Sequence, residues 1–104
     1  MNEATAADIL SALGNATRLA LFRLLVQSGK EGVPVGTLQR TLGIPGSTLS
    51  HHLARLVRVG LATQERNSRT LICRAEYECI NSALSFVTEH CCQGLGLAIQ
   101  RRAG

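Results

Sequence analysis

The sequence predicts a mainly α-helical domain carrying one small β-hairpin, a helix-turn-helix followed by a wing. Three observations lead there. Leu49, Leu53, Leu56 and Gly60 recur at i, i+4, i+7 and i+11, which is one apolar stripe of a helix. Ser47, Thr48, Ser50, His51, Arg55 and Arg58 fall off that stripe, so the exposed part of the helix offers hydroxyls, a histidine and arginines, with no acid. Asn67-Ser68, a turn dipeptide, then separates two short runs, Leu61 to Arg66 and Arg69 to Arg74.

The elements follow in order along the chain. Ile9, Leu10 and Leu13 mark a first short helix that stops at Gly14. Asn15 is a suitable N-cap for a second helix with Leu19, Phe22, Leu25 and Val26 on its apolar face. Ser28-Gly29 ends it, and Gly32-Val33-Pro34 reads as a loop. Pro34 suits the first turn of a third helix containing Leu38 and Leu42, stopped by Gly43. Ile44-Pro45-Gly46 is a tight turn into the basic fourth helix. Two short helices joined this way form a helix-turn-helix whose second helix enters a major groove. The hairpin after it is the wing, with Arg66 and Arg69 at its tip placed for phosphates or a minor groove. A last helix spans about Glu76 to Cys92, with Ile80, Leu84, Val87 and Cys91 on one face. The order is therefore four helices, two strands and a fifth helix, in a single domain over residues 1–104 with residues 94–104 as a flexible tail.

Charge supports nucleic acid as the partner. The chain is +4, but residues 40–74 hold six arginines against Glu65 alone, +5, while the remainder is −1. Arginine suits phosphate and guanine recognition better than lysine does. Aromatics are limited to Phe22, Tyr77 and Phe86, too few for the stacking platforms of single-strand binders, so duplex DNA is expected. Apolar runs fall far short of the roughly 20 residues that span a bilayer. The N-terminal residues carry no secretory signal, so a cytoplasmic protein with reduced thiols and no membrane partner is expected. No P-loop, dinucleotide fingerprint or nucleophile elbow is present, and nothing supports an enzyme.

The first and last helices lack apolar company inside so small a domain. Burying Ile9, Leu13, Ile80, Leu84 and Val87 against a second copy would supply it, and one-helix DNA readers gain contacts by pairing. A homodimer is expected.

These segments resemble the arsenical-resistance repressor (ArsR/SmtB) family of winged-helix metal sensors. Ala12-Leu13-Gly14-Asn15-Ala16-Thr17-Arg18-Leu19 is similar to the start of that family's second helix. Ser47-Thr48-Leu49-Ser50-His51-His52-Leu53 is similar to its recognition helix, and Val59-Gly60-Leu61 followed by Arg66 and Arg69 to its approach to the wing. The resemblance implies a dimeric repressor that leaves its operator when a metal or metalloid binds. The family's best-known arsenic sensors carry Cys-x-Cys at the start of the third helix, where this chain has Val33-Pro34-Val35-Gly36. Its zinc sensors use spaced His and acidic ligands on the last helix, where this chain has only Glu89 and His90.

What remains is the vicinal pair Cys91-Cys92. Soft thiolates select thiophilic species, and two adjacent thiols can close a small ring on trivalent arsenic. The inducer is then arsenite or methylarsenite, with no permanently bound cofactor. Methylarsenite suits two thiols because carbon already fills one position; Cys73 or Cys79, from the same or the other subunit, could instead complete a three-thiol site. A lone buried cysteine is more often a small hydrophobe, and that reading fits Cys73 and Cys79 taken singly. His52, at the edge of the stripe, reads as a structural histidine. A redox or persulfide sensor built on the same thiols, or a DNA-binding protein without an effector, are the alternatives.

Overall fold

The computed structural model describes residues 1–96. Its elements are α1 (Glu3–Leu13), α2 (Ala16–Ser28), a 3-10 turn (Gly29–Glu31), β1 (Val33–Pro34), α3 (Val35–Leu42), α4 (Gly46–Arg58), β2 (Ala62–Asn67), β3 (Thr70–Ala75) and α5 (Tyr77–Val87). The starts of α1 and α2 are set by short polar side chains that satisfy first-turn donors. Asn2 Oδ1 accepts from the Thr5 amide at 2.8 Å, and Asn15 Oδ1 accepts from the Arg18 amide at 3.0 Å. The helix-turn-helix corner needs a left-handed residue after α3, and Gly43 supplies it at φ 64°.

The three strands form an antiparallel sheet in the order β1-β3-β2. Residues 33–34, expected as loop, are thus a strand, with Val33 opposite Cys73 and Pro34 opposite Ile72. Two residues are too few for any periodicity, so only the pairing partner reveals them. Gly32 permits the approach: a Cβ there would lie 2.7 Å from the Cys73 carbonyl oxygen. The hairpin turn also sits one residue later than expected. Asn67 pairs with Thr70 in the ladder, which leaves Ser68-Arg69 as the two-residue loop, Ser68 at φ 59°. Polar Ser68 tolerates the left-handed position where a branched residue would not.

The core is leucine from every helix except α1 and α5. Leu21 and Leu25 of α2, Leu38 of α3, and Leu49, Leu53 and Leu56 of α4 are all buried to 2% exposure or less, with Leu61 just before β2 and Cys73 of β3. The predicted α4 stripe is therefore the core face. In α2 the buried row is Leu21, Phe22 and Leu25, whereas Leu19 and Val26 are exposed at 44% and 38%. The α2 segment is apolar nearly all round, so periodicity alone could not choose its face.

α1 and α5 are placed differently from expectation. Ile9 is 2% exposed and belongs to the protomer's own core with Ala6 and Ala12, so it cannot face a partner. Leu13 and Ile80 pack against the same core, and Ala83 turns α5 inward. Leu84 and Val87 do face outward, at 51% and 60% exposure, with Leu10 and Met1 exposed beside α1. α5 ends at Val87, not at Cys92. Thr88 Oγ1 donates back to the Leu84 and Ser85 carbonyls, and the chain leaves the helix through left-handed His90 and Cys92. No single helix among the described residues is long and apolar enough to cross a membrane. Residues 97–104 of the expected tail lie outside the described residues.

Candidate DNA interface and thiol site

The helix-turn-helix presents α4 with its leucines inward and a polar surface outward. Ser47, Ser50, His51 and Arg58 are exposed, while Thr48 and Arg55 are half-buried, Arg55 on the flank toward α1. Arg55 spends one donor there, Nη2 to Ser11 Oγ at 3.3 Å. No acid occurs in α4, and its first turn, led by Pro45, has no side-chain cap. The wing carries Arg66 in its ladder opposite Leu71 and Arg69 in its loop, both exposed. Arg74 is committed elsewhere, to the Lys30 carbonyl at 2.8 Å and to Glu65 at 3.2 Å.

His52 is the structural histidine that its place at the stripe edge predicts. Its Nδ1 lies 3.4 Å from Arg18 Nη1, and its ring meets His51 edge-on at 5.8 Å between centroids. Burial, then the Arg18 guanidinium, then His51 hold its pKa below the usual histidine value. Arg18 sits outside the basic segment, and its sequence context signals only a helix start.

The four cysteines separate into two kinds. Cys73 is fully buried, with burial pushing its thiol pKa up against a weak pull from Gln64. Cys79 is half-buried, donates to the Val59 carbonyl at 3.5 Å, and is pushed up by burial and by Glu76. Cys91 and Cys92 are exposed, free and adjacent, Sγ to Sγ 3.2 Å. Within one protomer, no three His, Cys, Asp or Glu side chains among the described residues gather as a metal site. Cys91, expected on the Ile80 row, lies with Cys92 beyond the helix end. The His90 ring bonds Gln93 Oε1 at 3.0 Å and Glu89 Oε1 at 3.2 Å.

A helix-turn-helix domain model matches residues 13–65, half of the chain. The chain is 31% identical over 80 residues to the HTH-type transcriptional regulator YgaV of Escherichia coli, covering 77% of this chain and 79% of YgaV. It is 40% identical over 63 residues to ArsR2 of Halobacterium salinarum, named for an arsenical resistance operon, covering 61% of this chain and 52% of ArsR2. The chain belongs to the ArsR family of winged helix-turn-helix regulators. Its fold is also that of the homodimeric winged helix-turn-helix DNA-binding domain Mb0332 from Mycobacterium bovis, with a TM-score of 0.67, 23% identity, and coverage of 85% and 82%. This ArsR-family chain is thus a transcriptional regulator built to bind DNA, not an enzyme.

Proposed function

We propose that this regulator is a dimeric repressor that holds operator DNA through α4 and the wing and releases it when trivalent arsenic binds Cys91 and Cys92. The observation that carries the effector is the exposed vicinal pair with its sulfurs 3.2 Å apart. The two thiols condense with the two hydroxyls of methylarsenous acid, forming two As–S bonds and releasing two waters, with no change of oxidation state. Arsenite reacts the same way and keeps one hydroxyl. Methylarsenite is the better fit, because no third protein ligand accompanies the pair among the described residues and the methyl carbon fills that position. The name of ArsR2 supports arsenic as the effector class.

In this reading Ser47, Thr48, Ser50 and His51 approach base edges, and Arg55, Arg58, Arg66 and Arg69 approach phosphates. Dimerisation uses the outward apolar row of Leu84 and Val87 with Leu10 and Met1, all exposed in the protomer. The homodimeric Mb0332 domain supports that assembly. The thiols lie beyond α5, far in sequence from α4, so release is allosteric. A coupling of about 3 kcal/mol would lower DNA affinity more than a hundredfold.

The test is fluorescence anisotropy of the reduced protein on a duplex it selects from a random pool, titrated with methylarsenite, arsenite, a persulfide and peroxide. Release by micromolar methylarsenite supports the proposal. Release by persulfide or peroxide alone would make the same thiols a redox sensor, and release by none would leave a DNA-binding protein without this effector.

A further inference from the structure

On the reading of α4 as the DNA-reading helix, we propose that Arg18 is a positioning residue for it, locking α4 to the last turn of α1 through His52. One guanidinium touches three helices. Arg18 is rooted in α2, just after the Asn15 cap. Its Nε donates to the Ala12 carbonyl at 2.6 Å, one of the α1 terminal carbonyls that the helix itself leaves without a partner. Its Nη1 lies 3.4 Å from His52 Nδ1 in α4.

The chemistry of that contact is directional. A guanidinium only donates, so Nδ1 must be the acceptor and the ring must be neutral with its proton on Nε2. The guanidinium is planar and its N–H directions are fixed, so Ala12 and His52 are held at a set separation that a lysine ammonium cannot reproduce. A second brace reaches the neighbouring residue of α1: Arg55 Nη2 donates to Ser11 Oγ at 3.3 Å. His52 and Arg55 are three residues apart and so lie on one flank of α4. Both braces therefore grip the same turn of α1 from the same side of the reading helix. His51, on the exposed row, packs edge-on against His52 with ring centroids 5.8 Å apart. Moving His52 moves His51, which is how a residue that touches no DNA sets the aim of one that does.

The full-length variants Arg18→Lys, His52→Leu, His52→Asn and the Arg18→Lys, His52→Leu double should be measured for thermal unfolding and for affinity to the duplex selected by the wild type. Asn Oδ1 occupies nearly the place of histidine Nδ1 and accepts from Arg18. Arg18→Lys and His52→Leu should each lower affinity about tenfold with helical content unchanged, and the double should lose no more than either single, because both break one brace. His52→Asn should restore most of the affinity that His52→Leu loses, which a merely space-filling role for His52 would not produce. Wild-type affinity in both singles, or fully additive losses in the double, would overturn the proposal. If Arg18→Lys does not fold, the His52→Leu and His52→Asn comparison decides by itself. A wild type that binds no duplex would remove the DNA reading of α4 and this role with it, and is distinguishable from a wild type that binds with Arg18 irrelevant.

Discussion

Cys91 and Cys92 place their Sγ atoms 3.2 Å apart on an exposed turn where Cys92 is held in the left-handed region at φ 62°. Adjacent residues of a regular helix diverge by about 100°, so the pair meets because α5 has already ended at Val87. The Cys91 amide is tied to the Thr88 carbonyl at 3.1 Å and the Gln93 amide to the His90 carbonyl at 3.2 Å, which fixes the turn on both sides of the thiols.

Cys91→Ser and Cys92→Ser should each bind the selected duplex like the wild type yet stay bound when methylarsenite is added. Anisotropy titrations should show the half-release concentration rising at least about tenfold, since one As–S bond is lost. An unchanged response in the double mutant would remove the thiol pair from the mechanism.

Alkylation should separate the two classes of cysteine. Thiolate is the reactive form, and burial holds Cys73 and Cys79 protonated near neutrality. Brief iodoacetamide treatment followed by peptide mass spectrometry should label Cys91 and Cys92 first, with Cys73 labelled only after unfolding. Early labelling of Cys73 would mean that the sheet layer opens readily.

Leu84→Asp should convert the protein to monomer. Leu84 is half exposed in the protomer, so the change is tolerated within one chain. In a dimer it would bury an unpaired carboxylate at a cost of several kcal/mol. Sedimentation velocity should show the shift, with DNA affinity falling alongside; a dimeric mutant would move the interface off α5.

Arg69→Ala should weaken binding on every sequence alike and reduce the slope of log affinity against log salt by roughly one, the signature of one lost phosphate contact. Its place in the two-residue loop means the hairpin ladder survives the change. An unaltered slope would take the wing tip off the DNA.

Acidification should destabilise the wild type through His52. Its folded pKa lies below its unfolded value, so between the two the unfolded chain binds the proton and the folded one does not. The His52 contribution is intact above about pH 6.5, falls as pH drops through the folded pKa, and is level below it. Urea midpoints from pH 7.5 to 5 should show the wild type losing ground to His52→Asn as pH falls. A difference that stays flat would mean that the ring is not held neutral.

Periodicity and capping chemistry carry local information, and they marked the α4 stripe, the Asn15 cap, the Gly43 stop and the arginine-rich third of the chain. Each of these depends on residues within a turn or two of one another. Most of the features that escaped are set by distant partners. Val33-Pro34 is a strand because Cys73 and Ile72 run beside it. Ile9 is core because α1 lies across its own protomer, and Leu19 and Val26 are surface because α2 turns Leu21 inward. The end of α5 at Val87 could not be read from an apolar row that continues to Cys91. Arg18 reaches helices six and thirty-four residues away. The chain alone determined which segments are helical, which helix is basic and which thiols stand together. Tertiary packing decided which faces are buried and which polar groups meet, because those depend on long-range burial and hydrogen bonds that no local spacing encodes.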